Sequence, residues 1–329
     1  MIYLTKDDIK KVFSMREALD ADKEALSWYS KGEANIPLRT NIDIPEYNGQ
    51  SLYMPGYVGG ENPALGMKIV SVYPDNIKHD LPSVPATMVV LDPKTGIVKA
   101  ILDGTYLTQL RTGAFQGLAT ELLSNEDAKT ALLIGTGGQG MAQLEAMLTV
   151  RNLEKVYVFD IDKSRAKDFC DQARNNFKNK FNTIFESVDN VNDVSEMVDI
   201  ITTVTTSRKA TFDGSKIKKG VHINGVGAYT PEMCEIPSSA LINADEIYFD
   251  TMDGVLAEAG DIIQPMNKNL LKNDNINGEL GQLINGNISG RKSEDDITIF
   301  KTVGTAALDV IVADRIVKRA LVENSVVEI

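Results

Sequence analysis

The chain is short of the residues that most often carry metals, disulfides and aromatic stacking. It has two cysteines, two histidines and one tryptophan. Cys170 and Cys234 are far apart and form no CxxC pair, which excludes a disulfide framework and a paired-cysteine zinc site. Both read as small buried thiols of a reducing, cytoplasmic compartment. His79 and His222 cannot make a multi-histidine zinc site, and His222, inside an apolar alternating run, reads as structural. Positive charge is also scarce: 34 Lys and Arg against 46 Asp and Glu leave a net charge of −12. A nucleic-acid surface needs clustered Lys and Arg, so nucleic acid is not an expected partner. No apolar run approaches the ~18 residues of a membrane span. The first segment is charged from Lys6 onward, unlike a signal peptide.

What is present suits a globular protein. Of 329 residues, 43% are hydrophobic and 24% charged, which is ordinary composition. At roughly 150 residues per domain, the length suggests about two domains.

Ser14 followed by Glu17 has capping-box spacing. Met15, Ala18, Leu19, Ala25, Leu26 and Tyr29 then recur at helical spacing, with Gly32 as a stop. From about residue 36 the runs Leu52–Met54, Met67–Val72 and Thr87–Leu91 are broken by turn residues and predict an antiparallel sheet. The turn Asp92-Pro93-Lys94-Thr95-Gly96 predicts a hairpin of 86–91 with 97–102. A helix follows, through Arg111 and Leu118 to about Leu123.

At residue 129 the texture changes. Strands are expected at Thr130–Ile134, Lys155–Phe159, Ile184–Val188, Ile200–Val204, Val221–Val226 and Glu246–Asp250. Helices are expected at about 138–150 and 163–174. Strands alternating with helices imply βαβ units and a parallel sheet. The stretch 267–290 reads as exposed loops around a short helix, and a last helix runs from Thr305 to about Leu321.

Between the first of these strands and its helix lies Gly135-Thr136-Gly137-Gly138-Gln139-Gly140. A lone GxGxxG is weak evidence, but this one follows a strand, opens a helix and precedes a strand ending in an acid. Gly135 permits the tight turn, Gly137 lets the backbone approach a pyrophosphate, and Gly140 allows close helix–sheet packing. Free N–H groups at the helix start then hold the phosphate. Asp160 lies 20 residues beyond Gly140, placed to accept hydrogen bonds from the ribose hydroxyls. Its charge favours NAD(H) over NADP(H), although Lys163 or Arg165 leaves NADP(H) possible. The plainer role for Asp160, capping the next helix, is open to Asp162 as well.

Several further segments have a common likeness. They are Gly66-Met67-Lys68, Leu81-Pro82, Asp103-Gly104 with Leu107-Thr108, and Leu110-Arg111-Thr112-Gly113-Ala114. The glycine motif follows, then Val226-Gly227-Ala228, Ala257-Glu258-Ala259-Gly260-Asp261, and Val303-Gly304. In this order, over almost the whole chain, they resemble the ornithine cyclodeaminase/mu-crystallin family. The resemblance implies an α/β protein: a Rossmann-type, doubly wound parallel-sheet domain inserted in a smaller α+β substrate and dimerisation domain. The substrate domain would be 1–124 with 301–329 and the nucleotide domain 125–300. A homodimer through the substrate domains is also implied.

In that family, arginines hold the carboxylate of an amino or imino acid and a lysine approaches the reacting carbon. The matching positions are Arg39, Lys68 and Arg111. Arg offers a planar fork for a carboxylate, and a Lys flanked by cations is a candidate acid. Thr112 is a candidate phosphate ligand or a packing residue. The cofactor set is then Thr112, Gly135, Gly137, Gly138, Gln139, Gly140 and Asp160. Thr203, Thr205, Val226 and Gly227 would lie on the nicotinamide side, since ligands bind outside the carboxyl ends of the strands. Tyr53, Met54, Met67, Met88 and Tyr229 are candidates for lining the substrate pocket. Glu258, Asp261 and Asp309 are left out of the catalytic set.

One position departs from the family. Cyclodeaminases carry an aspartate just after the Val-Gly-Ala segment, and here Tyr229 stands there. A tyrosine, with its pKa near ~10, is a poor base at neutral pH, and Glu232 is the nearest carboxylate in sequence. Reduction of an imine or 2-oxo acid needs no such base. The expected activity is therefore NAD(H)-dependent reduction of a small imino or 2-oxo acid, of the pyrroline-2-carboxylate reductase or alanine dehydrogenase type. Ornithine cyclodeamination and non-catalytic binding of a dinucleotide are the alternatives.

Overall fold

The computed structural model describes residues 1–323 and 327–328. The contacts divide the chain into two units, one of Met1–Thr112 with Thr305–Ile329 and one of Gly113–Gly304.

The first unit is built on a mixed sheet. Its strands run in the order Val327–Glu328, Ile2–Leu4, Val98–Asp103, Ala86–Leu91, Ala64–Val72, Gly49–Val58 and Ala34–Asn35, with Thr40–Ile44 also paired to Gly49–Val58. The pairings are antiparallel except that of Ile2–Leu4 with Val98–Asp103. The expected hairpin turns on Asp92, whose carboxylate accepts from the amides of Lys94 and Thr95, and on Gly96 at φ +73°. Only glycine adopts that conformation without strain.

Alternation decides which face is covered. Leu52, Met54 and Val58, Ala64, Lys68 and Val70, and Met88 and Val90 are all buried. Over them lies the helix Ala306–Val322, which packs on the strands Gly49–Val58 and Ala64–Val72 and on the helix Met15–Ser30. Ser14 and Glu17 form the predicted capping box, and Gly32, at φ +76°, follows the helix end. The last helix is buried continuously from Ala306 to Asp314, not along one stripe. The sheet's other face carries Tyr53, Leu65, Met67, Ile69, Val89, Leu91 and Ile101, all only half-buried.

The second unit is a wholly parallel sheet among the described residues. Its order is Ile184–Ser187, Lys155–Phe159, Thr130–Ile134, Ile200–Thr203, His222–Gly225, Thr298–Lys301, Glu246–Phe249, Gly278–Glu279. The chain winds outward both ways from Thr130–Ile134, as in a doubly wound fold. Leu132 and Ile134 enter one core, while Ala131 and Leu133 enter the other. Burial on both faces explains the continuous apolar runs, and each buried Leu or Ile contributes roughly 1.5–3 kcal/mol.

The units divide differently from the boundaries read in the sequence. The first break falls inside the helix Gly104–Leu123, because its second half belongs to the parallel-sheet unit. Phe115 meets Phe300 at 5.0 Å, and Thr120 accepts from the Asn224 amide. The second break follows Gly304, because Thr298–Lys301 is a strand of the parallel sheet and Asp250 accepts from Thr302, Val303 and Gly304. His222 is structural as expected, buried between Thr298 and Asn224, and burial pushes it down to about 3. Cys170 is buried but Cys234 only partly, and burial pushes both thiols up to about 11. No described helix is long and apolar enough to cross a membrane.

Candidate active site

Two clusters of buried charge stand out, one in each unit. In the first, Lys68 is 1% exposed and flanked on neighbouring strands by Met54 and Met88. Its Nζ lies 2.9 Å and 2.8 Å from the two carboxylate oxygens of Asp309. Arg111 Nε lies 2.9 Å from the same carboxylate. One aspartate therefore holds two of the three predicted cations. Burial, reinforced by the neighbouring Arg111 charge, brings Lys68 down to about 8 against the pull of Asp309. Arg39 is half-buried, one residue before the Thr40–Tyr53 pair, and its charge acts on Lys68 in the same direction as that of Arg111.

A second carboxyl belongs to this cluster. Asp22, on the helix Met15–Ser30, is fully buried, and neither oxygen has a hydrogen-bond partner among the described residues. Burial pushes its pKa well up, against Arg111 and with Asp309. With Asp22 protonated, the cluster holds more positive than negative charge. Arg111 Nη1 is buried without a hydrogen-bond partner among the described residues. A buried guanidinium nitrogen left unpaired costs free energy that an incoming anion restores. Tyr53 and Met67 do not share this face, since strand alternation turns them to the other side of the sheet from Met54 and Lys68.

In the second unit the glycine loop has the shape a dinucleotide needs. Gly135 sits at φ +108°, and a Cβ there would meet the Val204 carbonyl oxygen at 2.6 Å. A Cβ on Gly140 would meet the Gly135 carbonyl oxygen at 3.0 Å and the Phe169 ring at 3.1 Å. Over Gly137 there is open space, and Gly137 and Gly138 are exposed. The helix begins at Gly140, so the turn 137–139 precedes it. Gln139 keeps a buried Oε1 with no hydrogen-bond partner among the described residues. The Asp160 carboxylate accepts from the Thr136 amide at 3.0 Å, its hydroxyl at 2.5 Å and the Asp162 amide at 3.0 Å. Burial opposes its ionisation, but these hydrogen bonds hold it below the usual carboxylate range. Asp162 caps the following helix, which leaves Asp160 for the loop.

Beyond the next two strands the predicted nicotinamide-side residues separate. Thr203 is fully buried and its hydroxyl donates to the Asn224 carbonyl, so it serves the sheet. Thr205, Gly227 and Tyr229 are half-buried in the loops that follow, and Val226 is 9% exposed. Both loops are gripped by a residue the sequence reading passed over. Glu235, fully buried, accepts from the backbone amides of Thr205, Gly227 and Ala228. Asp261 accepts from the amides of Glu235 and Ile236 and pairs with Lys301 at 2.9 Å. Glu232, the nearest carboxylate to Tyr229 in sequence, is exposed instead.

Two of the missed residues carried a signal, a charge in an apolar run, and a third is a charge at an inward helical position. Asp309 breaks Ala306–Ala313, Asp22 takes an inward position between Ala18 and Ala25, and Lys301 ends the strand Thr298–Lys301. Spacing alone could not tell which of them would face one another.

The model of the ornithine cyclodeaminase/mu-crystallin family matches residues 1–324. The chain belongs to that family. Within it, the chain is 35% identical over 321 residues to a Delta(1)-pyrroline-2-carboxylate reductase of Bacillus cereus (strain ATCC 10987 / NRS 248), covering 98% of this chain and 97% of that protein. Among solved structures it resembles the Thermococcus litoralis Delta(1)-pyrroline-2-carboxylate reductase in complex with NADH and L-proline. That likeness has a TM-score of 0.94 and 36% identity, and it covers 100% of both chains. It also resembles an archaeal alanine dehydrogenase dimer with bound NAD, with a TM-score of 0.89 and 30% identity, covering 100% of this chain and 98% of the other. This member of the ornithine cyclodeaminase/mu-crystallin family thus has a unit with a Rossmann-type parallel sheet and a smaller mixed-sheet unit.

Proposed function

We propose that the chain is an NAD(H)-dependent reductase of a small cyclic imino acid or 2-oxo acid, with Δ1-pyrroline-2-carboxylate the first substrate to test. The observation that carries this is the buried, unpartnered Nη1 of Arg111 beside Lys68, in a cluster with positive charge in excess. A carboxylate supplies what that cluster lacks. Its relatives' named substrates and ligands carry such a group.

Arg111 holds the substrate carboxylate, with Arg39 contributing charge. Lys68 donates the proton that the imine nitrogen takes up as C2 gains a hydride. At neutral pH it is protonated but gives its proton up more readily than an ordinary lysine, as a general acid requires. Asp309 fixes Lys68 and Arg111 in one geometry. When bound, NADH supplies the hydride. Gly135, Gly137, Gly138, Gln139 and Gly140 cradle its pyrophosphate, Asp160 binds its ribose, and Thr112, Thr205, Val226 and Gly227 complete the cofactor set. Thr203, held inside the sheet, is dropped from that set.

The half-buried, apolar face of the mixed sheet supports a homodimer through the first unit, since a monomer would leave part of that patch in water.

The test follows NADH absorbance with Δ1-pyrroline-2-carboxylate and, separately, pyruvate with ammonia. Consumption with either is expected, and none with both would reject the reading. Arg111→Ala should raise KM at least ~100-fold while NADH still binds, and an unchanged KM would remove Arg111 from the site.

A further inference from the structure

The loops after the strands Ile200–Thr203 and His222–Gly225 are packed so closely that one position tolerates only glycine. A Cβ on Gly227 would lie 2.1 Å from the Thr205 carbonyl oxygen and 2.8 Å from Glu235 Oε1. On the other side, a Cβ on Gly135 would meet Val204 and the Thr205 methyl group. The glycine loop, the Thr205 loop and the Gly227 loop are therefore stacked in contact, with the Glu235 carboxylate behind the last two. The charges facing Glu235 come from two elements. They are Asp261 on the helix Gly260–Asn267 and Lys301 on the strand Thr298–Lys301, and the Cys234 thiol lies beside it in sequence. Lys301 is paired with Asp261 at 2.9 Å and also donates to the Gly225 carbonyl at 3.3 Å. Glu235 is held by the backbone N–H groups of Thr205, Gly227 and Ala228 and by the Thr205 side chain. With Glu235 ionised, the trio carries one negative charge in excess, fully buried, at the carboxyl ends of two central strands.

We propose that Glu235 is a positioning residue for the nicotinamide half of the cofactor, and that its buried charge makes these loops favour the oxidised, cationic ring over the reduced, neutral one. This rests on the cofactor reading above but not on the identity of the substrate. Burial pushes Glu235 up to about 7, against Lys301 and with Asp261. The charge is therefore present above neutral pH and lost below it, so the preference for the oxidised cofactor rises with pH.

The experiment measures binding without substrate. NADH is titrated by its fluorescence and NAD⁺ by calorimetry, at pH 6, 7 and 8, with the full chain and with Glu235→Gln and Glu235→Asp. In the parent chain, affinity for NAD⁺ relative to NADH should rise roughly three- to tenfold from pH 6 to pH 8, the scale expected of one buried charge. In Glu235→Gln the ratio should be flat. Glu235→Asp should weaken both ligands yet keep the slope. A flat ratio in the parent chain overturns the proposal, as does the same slope in Glu235→Gln. If Glu235→Gln does not fold, the parent slope and Glu235→Asp decide alone. Absence of NADH binding would remove the cofactor reading and this proposal together. Normal binding without turnover of any imino or oxo acid would remove only the reductase reading.

Discussion

Each unit buries a lysine against an aspartate at nearly the same distance, and the two pairs sit in opposite electrostatic settings. Lys68 and Asp309 are joined by Arg111 and by an Asp22 whose ionisation burial suppresses. Lys301 and Asp261 are joined by Glu235. The first cluster has a cation to spare and an unpartnered N–H donor. The second has an anion to spare, and backbone amides satisfy it. A buried ion pair alone is weak evidence of either stability or function. The surplus charge, and whether the protein already satisfies it, separates a place that waits for a ligand from one that holds backbone in place.

Substitution of the two lysines tests this contrast directly. Lys68→Met should lower kcat by about 10²–10⁴, the range for loss of a positioned general acid. Its stability should change little, because Arg111 stays 2.9 Å from Asp309. In the parent, reductive kcat/KM should fall as pH rises through about 8, where Lys68 loses its proton. A profile flat through that range would deny Lys68 the role of acid. Lys301→Met should do the reverse. It strands two carboxylates in the interior and should cost about 3–5 kcal/mol of stability, read as a lowered midpoint in urea. Equal stability losses in the two variants would dissolve the contrast.

The smallest effect is expected at Asp22. Its folded pKa is raised above the ordinary 3.8, so the folded state holds a proton that the unfolded state releases. The sign follows: stability is lost as pH climbs from about 4 through the raised folded value. Asp22→Asn should flatten that loss, seen as a smaller fall in thermal midpoint between pH 5 and pH 9. An unchanged slope would mean that Asp22 does not stay protonated when folded.

Much of this architecture was legible because it is written in local chemistry. The capping box at Ser14, the Asp92 turn and the glycine loop each need particular residues at fixed spacing, and each stands where the spacing places it. Lys68 and Arg111 were readable through their motifs. Asp309, Asp22 and Glu235 were not, because what matters about them is which element they meet, and contacts across 241 residues leave no periodic trace. The strands Ile2–Leu4 and Thr298–Lys301 escaped for a different reason: three or four residues offer too little alternation to register. Thr203 was placed at the strand end but points into the sheet, a direction that parity fixes only once the register is known.

The first unit's discontinuity has a consequence in time. Synthesis delivers the strands Gly49–Val58 and Ala64–Val72 before the parallel-sheet unit, but the helix that covers them, Ala306–Val322, only after it. The parallel-sheet unit between them is one continuous stretch and is complete first. Until that helix arrives, Lys68 and Arg111 have no Asp309, and the sheet face that carries Lys68 lacks the helix that covers it. Non-local contacts of this kind are slow to form, so the nascent chain carries an unfinished charge cluster throughout the synthesis of the parallel-sheet unit.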